Sequence, residues 1–335
     1  MAKKDTQAVE EKFKTMIGGQ ALIEGIMMRG PDKDAVVVRG KEGLQVEVHS
    51  RKLPPEKSPL RWPLIRGVYN FISSQVVGVK ALMRSADLSP EELSGEGEPS
   101  KLDLWLEKKL GSEKFQQALV TFAVILGVGL SVVLFFVLPM VLGGIFDRWV
   151  QSNLALNLIE GLFRIGIFLI YMIAISRMQD MKRLFSYHGA EHKTIRFYEA
   201  GLPLTVENVR RMTRLHPRCG TSFLLVVLLL SILVFSVASS LLLALIPALE
   251  AMRGSFLFRL LMILFKLLLI PLVVSISYEI NRWVGCHDNW FTRILTAPGM
   301  WFQNFTTNEP DDGMIEVGIA AVQAVLPEEE GADRW

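Results

Sequence analysis

Two runs of residues in this chain have the types and spacing to do chemistry. Tyr187-His188-Gly189-Ala190-Glu191-His192-Lys193 sets two imidazoles four residues apart with a carboxylate between them. Beyond it comes His216-Pro217-Arg218-Cys219-Gly220. Neutral imidazole and thiolate are good ligands for a borderline metal such as zinc. On a helix, residues i and i+4 project from one face, so His188 and His192 can offer two nitrogens to one ion at about 2.0–2.1 Å. Glu191 is adjacent in angle and suits a general base, an orienting group or a further ligand. His-x-x-Glu-His is the arrangement of the inverzincin metalloproteases, which add a distant third ligand. Here His216 or Cys219 is the candidate for that place. Three protein ligands leave a position open for water, as in a catalytic site, whereas four close the site and make it structural. The spacing leaves both arrangements open. Cys286-His287-Asp288 is a further candidate group. The plainer alternative is that all of these are polar residues at a membrane surface, bonded to lipid headgroups or to backbone.

The elements that must hold these residues follow from how charge is distributed. Half of the 335 residues are apolar although 21% are charged, and the mean hydropathy is +0.34. The two facts are reconciled by segregation. Residues 118–146 and 222–248 contain no charged side chain, and about 20 apolar residues suffice to cross a bilayer as helix. Residues 154–176, with Glu160 and Arg164, and residues 256–278, with Arg259 and Lys266, read as two further spans. Lysines and arginines crowd before the first span, between the second and third, and after the fourth. That bias predicts cytoplasmic termini and a cytoplasmic His-rich loop. Cys219 and Cys286 then sit where thiols stay reduced. The charged start lacks the apolar stretch of a signal peptide. With a net charge of +2 and no basic patch interleaved with aromatics, a nucleic-acid partner is not expected.

Lys266 falls about 15 Å along its helix, near mid-bilayer, where a charge costs several kcal/mol unless it pairs or meets water. Glu160 and Arg164 are spaced as an i,i+4 pair, and snorkelling is expected for Arg164 and Arg259.

Three regions follow: residues 1–115, a small cytoplasmic α+β region; residues 116–285, the four-helix membrane part with the loop 177–221; and residues 286–335, a cytoplasmic tail. In the first, residues 18–31 read as strand punctuated by glycine, residues 35–39 and 44–48 as a hairpin across Gly40-Lys41-Glu42-Gly43, and residues 63–83 as a helix along the membrane. Residues 89–100 read as a linker, and Glu24 as a solvent-facing carboxylate at a strand edge. In the tail, residues 314–326 read as a helix packing back on the cytoplasmic part, with fraying from Glu328 onward.

The runs Gly18-Gly19-Gln20-Ala21-Leu22-Ile23-Glu24-Gly25, His188-Gly189-Ala190-Glu191-His192-Lys193, His216-Pro217-Arg218-Cys219-Gly220 and Glu309-Pro310-Asp311-Asp312 occur together. In this the chain resembles the YqhQ-like bacterial membrane family, a domain of unknown function labelled a predicted metal-dependent enzyme. The resemblance covers residues 16–327. It implies an α-helical polytopic protein of the bacterial inner membrane, with four transmembrane helices and a small cytoplasmic α+β N-terminal region. The leading expectation is zinc-type hydrolysis of a lipid or membrane-associated peptide, with His188, His192, and His216 or Cys219 on the metal and Glu191 as the catalytic group. The competing expectations are a transporter or channel subunit, working as a homo-oligomer around Lys266, and a scaffold stapled by its metal.

Overall fold

The structure is a computed structural model and describes residues 12–89, 112–146, 148–150, 152–329 and 331–334. The chain divides into two compact units, residues 1–90, 172–230 and 271–335 in one, residues 91–171 and 231–270 in the other.

The first unit is built on an antiparallel meander of β1 (Gly18–Leu22), β2 (Gly25–Arg29), β3 (Lys33–Gly40) and β4 (Gly43–Ser50), in the order β1-β2-β3-β4. Its register pairs Gly19 with Met28, Ile26 with Val37, and Val37 with Val46. β2 and β3 are buried on both faces, which explains why Ala35-Val36-Val37-Val38 does not alternate with polar residues. One face, with Ile26, Met28, Ala35 and Val37, packs on Tyr187, Ala190, Val317 and Ala321. Those four residues come from α5 (Gln179–Glu199) and α12 (Asp312–Val325). The other face, with Leu22, Met27, Val36 and Val38, packs on Ala81 of α1 (Ile65–Leu88). The result is a helix–sheet–helix sandwich with its core at β2 and β3.

Among the described residues, four helical stretches are long and apolar enough to cross a membrane: Thr121–Gly144, Asn153–Ser176, Gly220–Leu245 and Phe256–Cys286. The first stretch comprises the end of α2 (Ser112–Val132), a π-turn at Val133–Val137 and α3 (Leu138–Gly144). The second is α4 (Asn153–Ser176). Between α5 and the third lies the short α6 (Val206–Arg210), and the third is α7 (Gly220–Leu245), followed by the short α8 (Pro247–Ala251). The fourth runs from α9 (Phe256–Leu268) into α10 (Ile270–Cys286), with Pro271 in the opening turn of α10. At about 1.5 Å per residue its 31 residues exceed a bilayer core of about 30 Å, so Glu279 and Arg282 near its end need not lie in hydrocarbon.

In the second unit the ionisable residues of the spans are paired differently from the expectation. Arg164 does not snorkel. It is buried, donates from Nε to the Phe135 carbonyl at 2.8 Å, and lays its guanidinium over the rings of Phe136 and Phe235. Phe135 lies in the π-turn, a local change of helical register that exposes acceptors to side chains. Glu160 bonds to Lys266, not to Arg164, and so matches the buried ammonium to a carboxylate 106 residues away. Hydrocarbon offers these charges no water, and pairing is the remaining way to hold them.

The tail contains two helices where one was expected. α11 (Trp290–Thr306) opens with a capping box between Asn289 and Thr292 and tolerates Pro298 inside. α12 starts on the Asp311 carboxylate, which accepts from the Met314 N–H. Fraying after Glu328 does not extend to residues 333 and 334: Thr15 bridges Arg334, and the Thr15 hydroxyl donates to the buried Asp333 carboxylate. The linker expected at 89–100 lies, after Ser89, outside the described residues.

Candidate metal centre

The stretch 179–199, read from sequence as part of a loop, is the helix α5, with Asp180 in its first turn and Arg196 in its last as the helix dipole favours. Residues 190–195 are buried on every side, so each polar group among them needs a partner. Gly189 makes the close packing possible. A Cβ there would collide with the carbonyl oxygen of Asn308, whose N–H donates to Phe185 O at 2.8 Å.

His188 and His192 stack one turn apart with ring centroids 4.3 Å apart. His188 Nδ1–H donates to the Thr306 carbonyl at 2.8 Å, and His192 Nδ1–H donates to the Arg214 carbonyl at 2.6 Å. A carbonyl only accepts, so both rings carry hydrogen on Nδ1 and turn Nε2 inward. His188 Nε2 lies 3.2 Å from Cys219 Sγ. His192 Nε2 is buried and makes no hydrogen bond. One ligand atom from each of His188, His192 and Cys219 falls within a group no wider than 4.8 Å. A tetrahedral zinc site sets such atoms about 3.4–3.8 Å apart, so on an ion the His188–Cys219 pair would open slightly and any wider pair would close.

The electrostatics favour a thiolate. Burial works against charge on Cys219, yet His192 and His188 outweigh it and draw the thiol well below its usual range. Burial likewise opposes the His188 cation, but the Cys219 sulfur and Glu191 reverse this and push it up to about 9. The Thr221 N–H, 3.3 Å away, also donates to the sulfur. Glu191 enters from the side of the sheet. Its Oε1 accepts the Gly19 N–H at 3.0 Å, while Oε2 is buried with no hydrogen-bond partner, 3.9 Å from His188 Nε2. Burial raises the Glu191 pKa, with the two histidines opposing. A Cβ on Gly19 would stand 2.6 Å from the Met27 carbonyl oxygen and 3.1 Å from the Glu191 carboxyl carbon, which explains the glycine.

His216 stands beside this group, not in it. Its ring is 5.6 Å from that of His192, its Nε2 is 3.3 Å from Glu199 Oε2, and its Nδ1 accepts the Arg218 N–H at 3.3 Å. Burial and Arg218 hold its cationic form well below the usual range, so a neutral ring donates from Nε2 to Glu199. Cys286 is exposed, His287 stacks on Trp283, and Asp288 pairs with Arg293, all apart from the cluster.

Several positioning residues had no signal in the spacing of the motifs. Gln303 of α11 accepts the His216 N–H at 2.8 Å and donates to the His216 carbonyl at 2.7 Å and the Ser222 hydroxyl at 3.0 Å. It thereby clasps both ends of the segment that carries Cys219. Lys193 reaches Glu309 at 2.6 Å and the Arg210 carbonyl at 3.0 Å, tying the His-rich helix to the acidic run before α12. Glu24 is buried at the β1–β2 turn with φ of 51°, bonded to Arg183 and to the Tyr187 hydroxyl, which corrects the solvent-facing reading.

These pieces come from the same runs that carry the family likeness, and comparison with known proteins gives the family. Residues 62–328 match the family described as a protein of unknown function, DUF1385. The chain belongs to that family. The runs around His188 and Cys219 fall within the matched range, whereas Gly19 precedes it. The chain is also 31% identical over 328 residues to the uncharacterized protein YqhQ of Bacillus subtilis (strain 168), covering 95% of this chain and 94% of that one. No solved structure matches.

Proposed function

We propose that this multi-pass membrane protein is a metal-dependent enzyme of the hydrolase type, whose centre is formed by His188, His192 and Cys219. The observation that carries the reading is the shared orientation of the two imidazoles. Each spends its Nδ1–H on a backbone carbonyl and turns Nε2 toward one sulfur, and the Nε2 of His192 has no hydrogen bond. Ligating histidines are oriented in this way by their outer hydrogen bond. One thiolate and two imidazoles suit a zinc-class divalent ion, which supplies Lewis acidity and makes water acidic near neutral pH.

The chain's own residues do the rest. Thr306 and Arg214 fix the tautomers, and Gly19 holds one oxygen of Glu191 so that the other can take a proton from water as general base. His216, engaged by Glu199, supports a site with three protein ligands and one open position. The Lys and Arg bias supports a reading with this centre and both termini on the cytoplasmic side, in a bacterial inner membrane.

The test is metal analysis of detergent-purified protein beside the His188→Ala/His192→Ala double variant. About one zinc-class ion per wild-type chain, lost in the variant, is the expected result; equal metal in both overturns the proposal. The 3.2 Å contact of Cys219 with His188 supports a second reading, a thiolate nucleophile with an imidazole partner. That reading expects full activity after metal is stripped.

A further inference from the structure

Two cavities of the first unit meet at the candidate centre, and their linings differ in kind. One, of about 460 Å³, reaches Glu191, His192 and Cys219. Its wall carries four guanidiniums, Arg29, Arg51, Arg218 and Arg282, against the Glu191 carboxyl and the Cys219 sulfur, so cations outnumber the groups that can be anionic. Three of the four are partly matched from behind. Arg29 and Arg51 share Asp34, at 2.9 and 3.6 Å, and Arg218 bonds to Glu199. One carboxylate between two guanidiniums leaves a positive charge over, and Arg282, exposed at the rim, adds another. Burial and the neighbouring Arg29 both disfavour the charge on Arg51, the situation that a bound anion relieves. Asn70, Ser74 and Asn281 add neutral hydrogen-bonding groups to the same wall.

The other cavity, of about 580 Å³, reaches His188 and Cys219 and adds an aromatic and aliphatic stretch that the first lacks, with Phe71, Leu184, Phe185, Phe223 and Leu224. Phe71 and Phe223 face each other at 6.3 Å. Phe223 and Leu224 belong to the opening turns of α7, one of the helices able to cross a membrane, so this groove continues the apolar surface of a span. Gly19, Gln20, Asn70, Arg218 and Cys219 line both cavities, which join them into one cleft with a cationic and an apolar arm.

We infer that this cleft binds a phosphate-bearing anionic lipid, its headgroup against Arg29, Arg51 and Arg282 and its chain along Phe71, Phe223 and Leu224. That the lipid is the substrate of the centre rests on the metal-enzyme reading; that it binds does not. A soluble phosphate would leave the apolar arm unused, and a zwitterionic lipid would bring a choline cation to an arginine wall. The lipid is the occupant whose two halves match both arms and whose source, the bilayer, is continuous with α7.

The experiment counts lipids bound to the full-length protein by native mass spectrometry from detergent doped with phosphatidylglycerol or phosphatidylcholine. Wild type is expected to favour phosphatidylglycerol, and Arg282→Gln to reduce that binding about tenfold, the loss of one charge-assisted hydrogen bond. Arg51→Gln should act alike; because Arg51 also bonds to the Gly30 carbonyl, the exposed Arg282 provides the variant that leaves the fold alone. The His188→Ala/His192→Ala variant should lose its metal and keep its lipid. Lipid held through the arginines in a wild-type chain that carries no metal as purified would sink the metal proposal and leave the lipid site standing. Equal binding of the two lipids, binding unaffected by Arg282→Gln, or displacement of the lipid by millimolar glycerol phosphate would overturn the lipid site.

Discussion

The imidazole of His188 and the thiol of Cys219 lie 3.2 Å apart across 31 residues of chain. Neither residue reaches the other by local geometry. His188 is fixed by α5 and by the Thr306 carbonyl, and Cys219 by the opening of α7 and the clasp of Gln303 on its loop. The contact is therefore a product of α11, the helix that joins both supports.

Replacing Gln303 by leucine should loosen that loop. The side chain is fully buried, and its loss strands the His216 N–H and carbonyl, at about 1–3 kcal/mol for each group left unsatisfied. The thermal midpoint in detergent should fall by several degrees and the metal content with it. An unchanged midpoint would show that the clasp has no role.

Gly189→Ala should run against the usual sign for a helix. Alanine in place of a helical glycine normally stabilises by about 0.5–1 kcal/mol. Here the added methyl meets the Asn308 backbone oxygen, and overpacking of this kind costs about 1–3 kcal/mol. A variant as stable as wild type, or more so, would mean that α5 and the Asn308 segment are not in contact.

The Lys266–Glu160 pair gives a prediction about the spans. Lys266→Met alone leaves a carboxylate without its partner in an apolar setting and should cost about 3–5 kcal/mol, whereas Lys266→Met/Glu160→Gln should recover much of the loss. Thermal unfolding of the two purified variants decides this. If the double variant is the less stable, the pair is not the reason for the charge.

The two thiols should report the state of the centre. Cys286 is exposed and Cys219 buried, so a maleimide should modify one thiol readily in protein as purified. Chelation should then release the second, because a thiolate freed from its ion is the reactive form. Equal rates before and after chelation would argue against sulfur ligation.

Much of this arrangement was legible in the sequence. Four apolar stretches gave the spans, and the turn Gly40-Lys41-Glu42-Gly43 gave the β3–β4 hairpin, where Gly43 adopts φ of +116°. The i,i+4 spacing put His188 and His192 on one helix face. What was not legible depends on long-range partners. α11 carries Trp290, Ile294 and Trp301 outward and Phe302 and Gln303 inward, and no local pattern tells which polar residue meets the His216 loop. Glu24 beside glycine reads as a turn in solvent, yet Arg183 and Tyr187 cover it from 159 and 163 residues away. That the buried Glu199 carboxylate engages His216, while Cys219 stands beside the two other histidines, was likewise not legible.

The central claim is that one sulfur and two imidazoles hold one ion, and X-ray absorption at the metal edge tests it most directly. Purified wild-type protein should give a single sulfur scatterer at about 2.3 Å and imidazole nitrogens at about 2.0–2.1 Å, with the sulfur shell lost in Cys219→Ser. A metal surrounded only by oxygen, or a sulfur shell that survives Cys219→Ser, would contradict it.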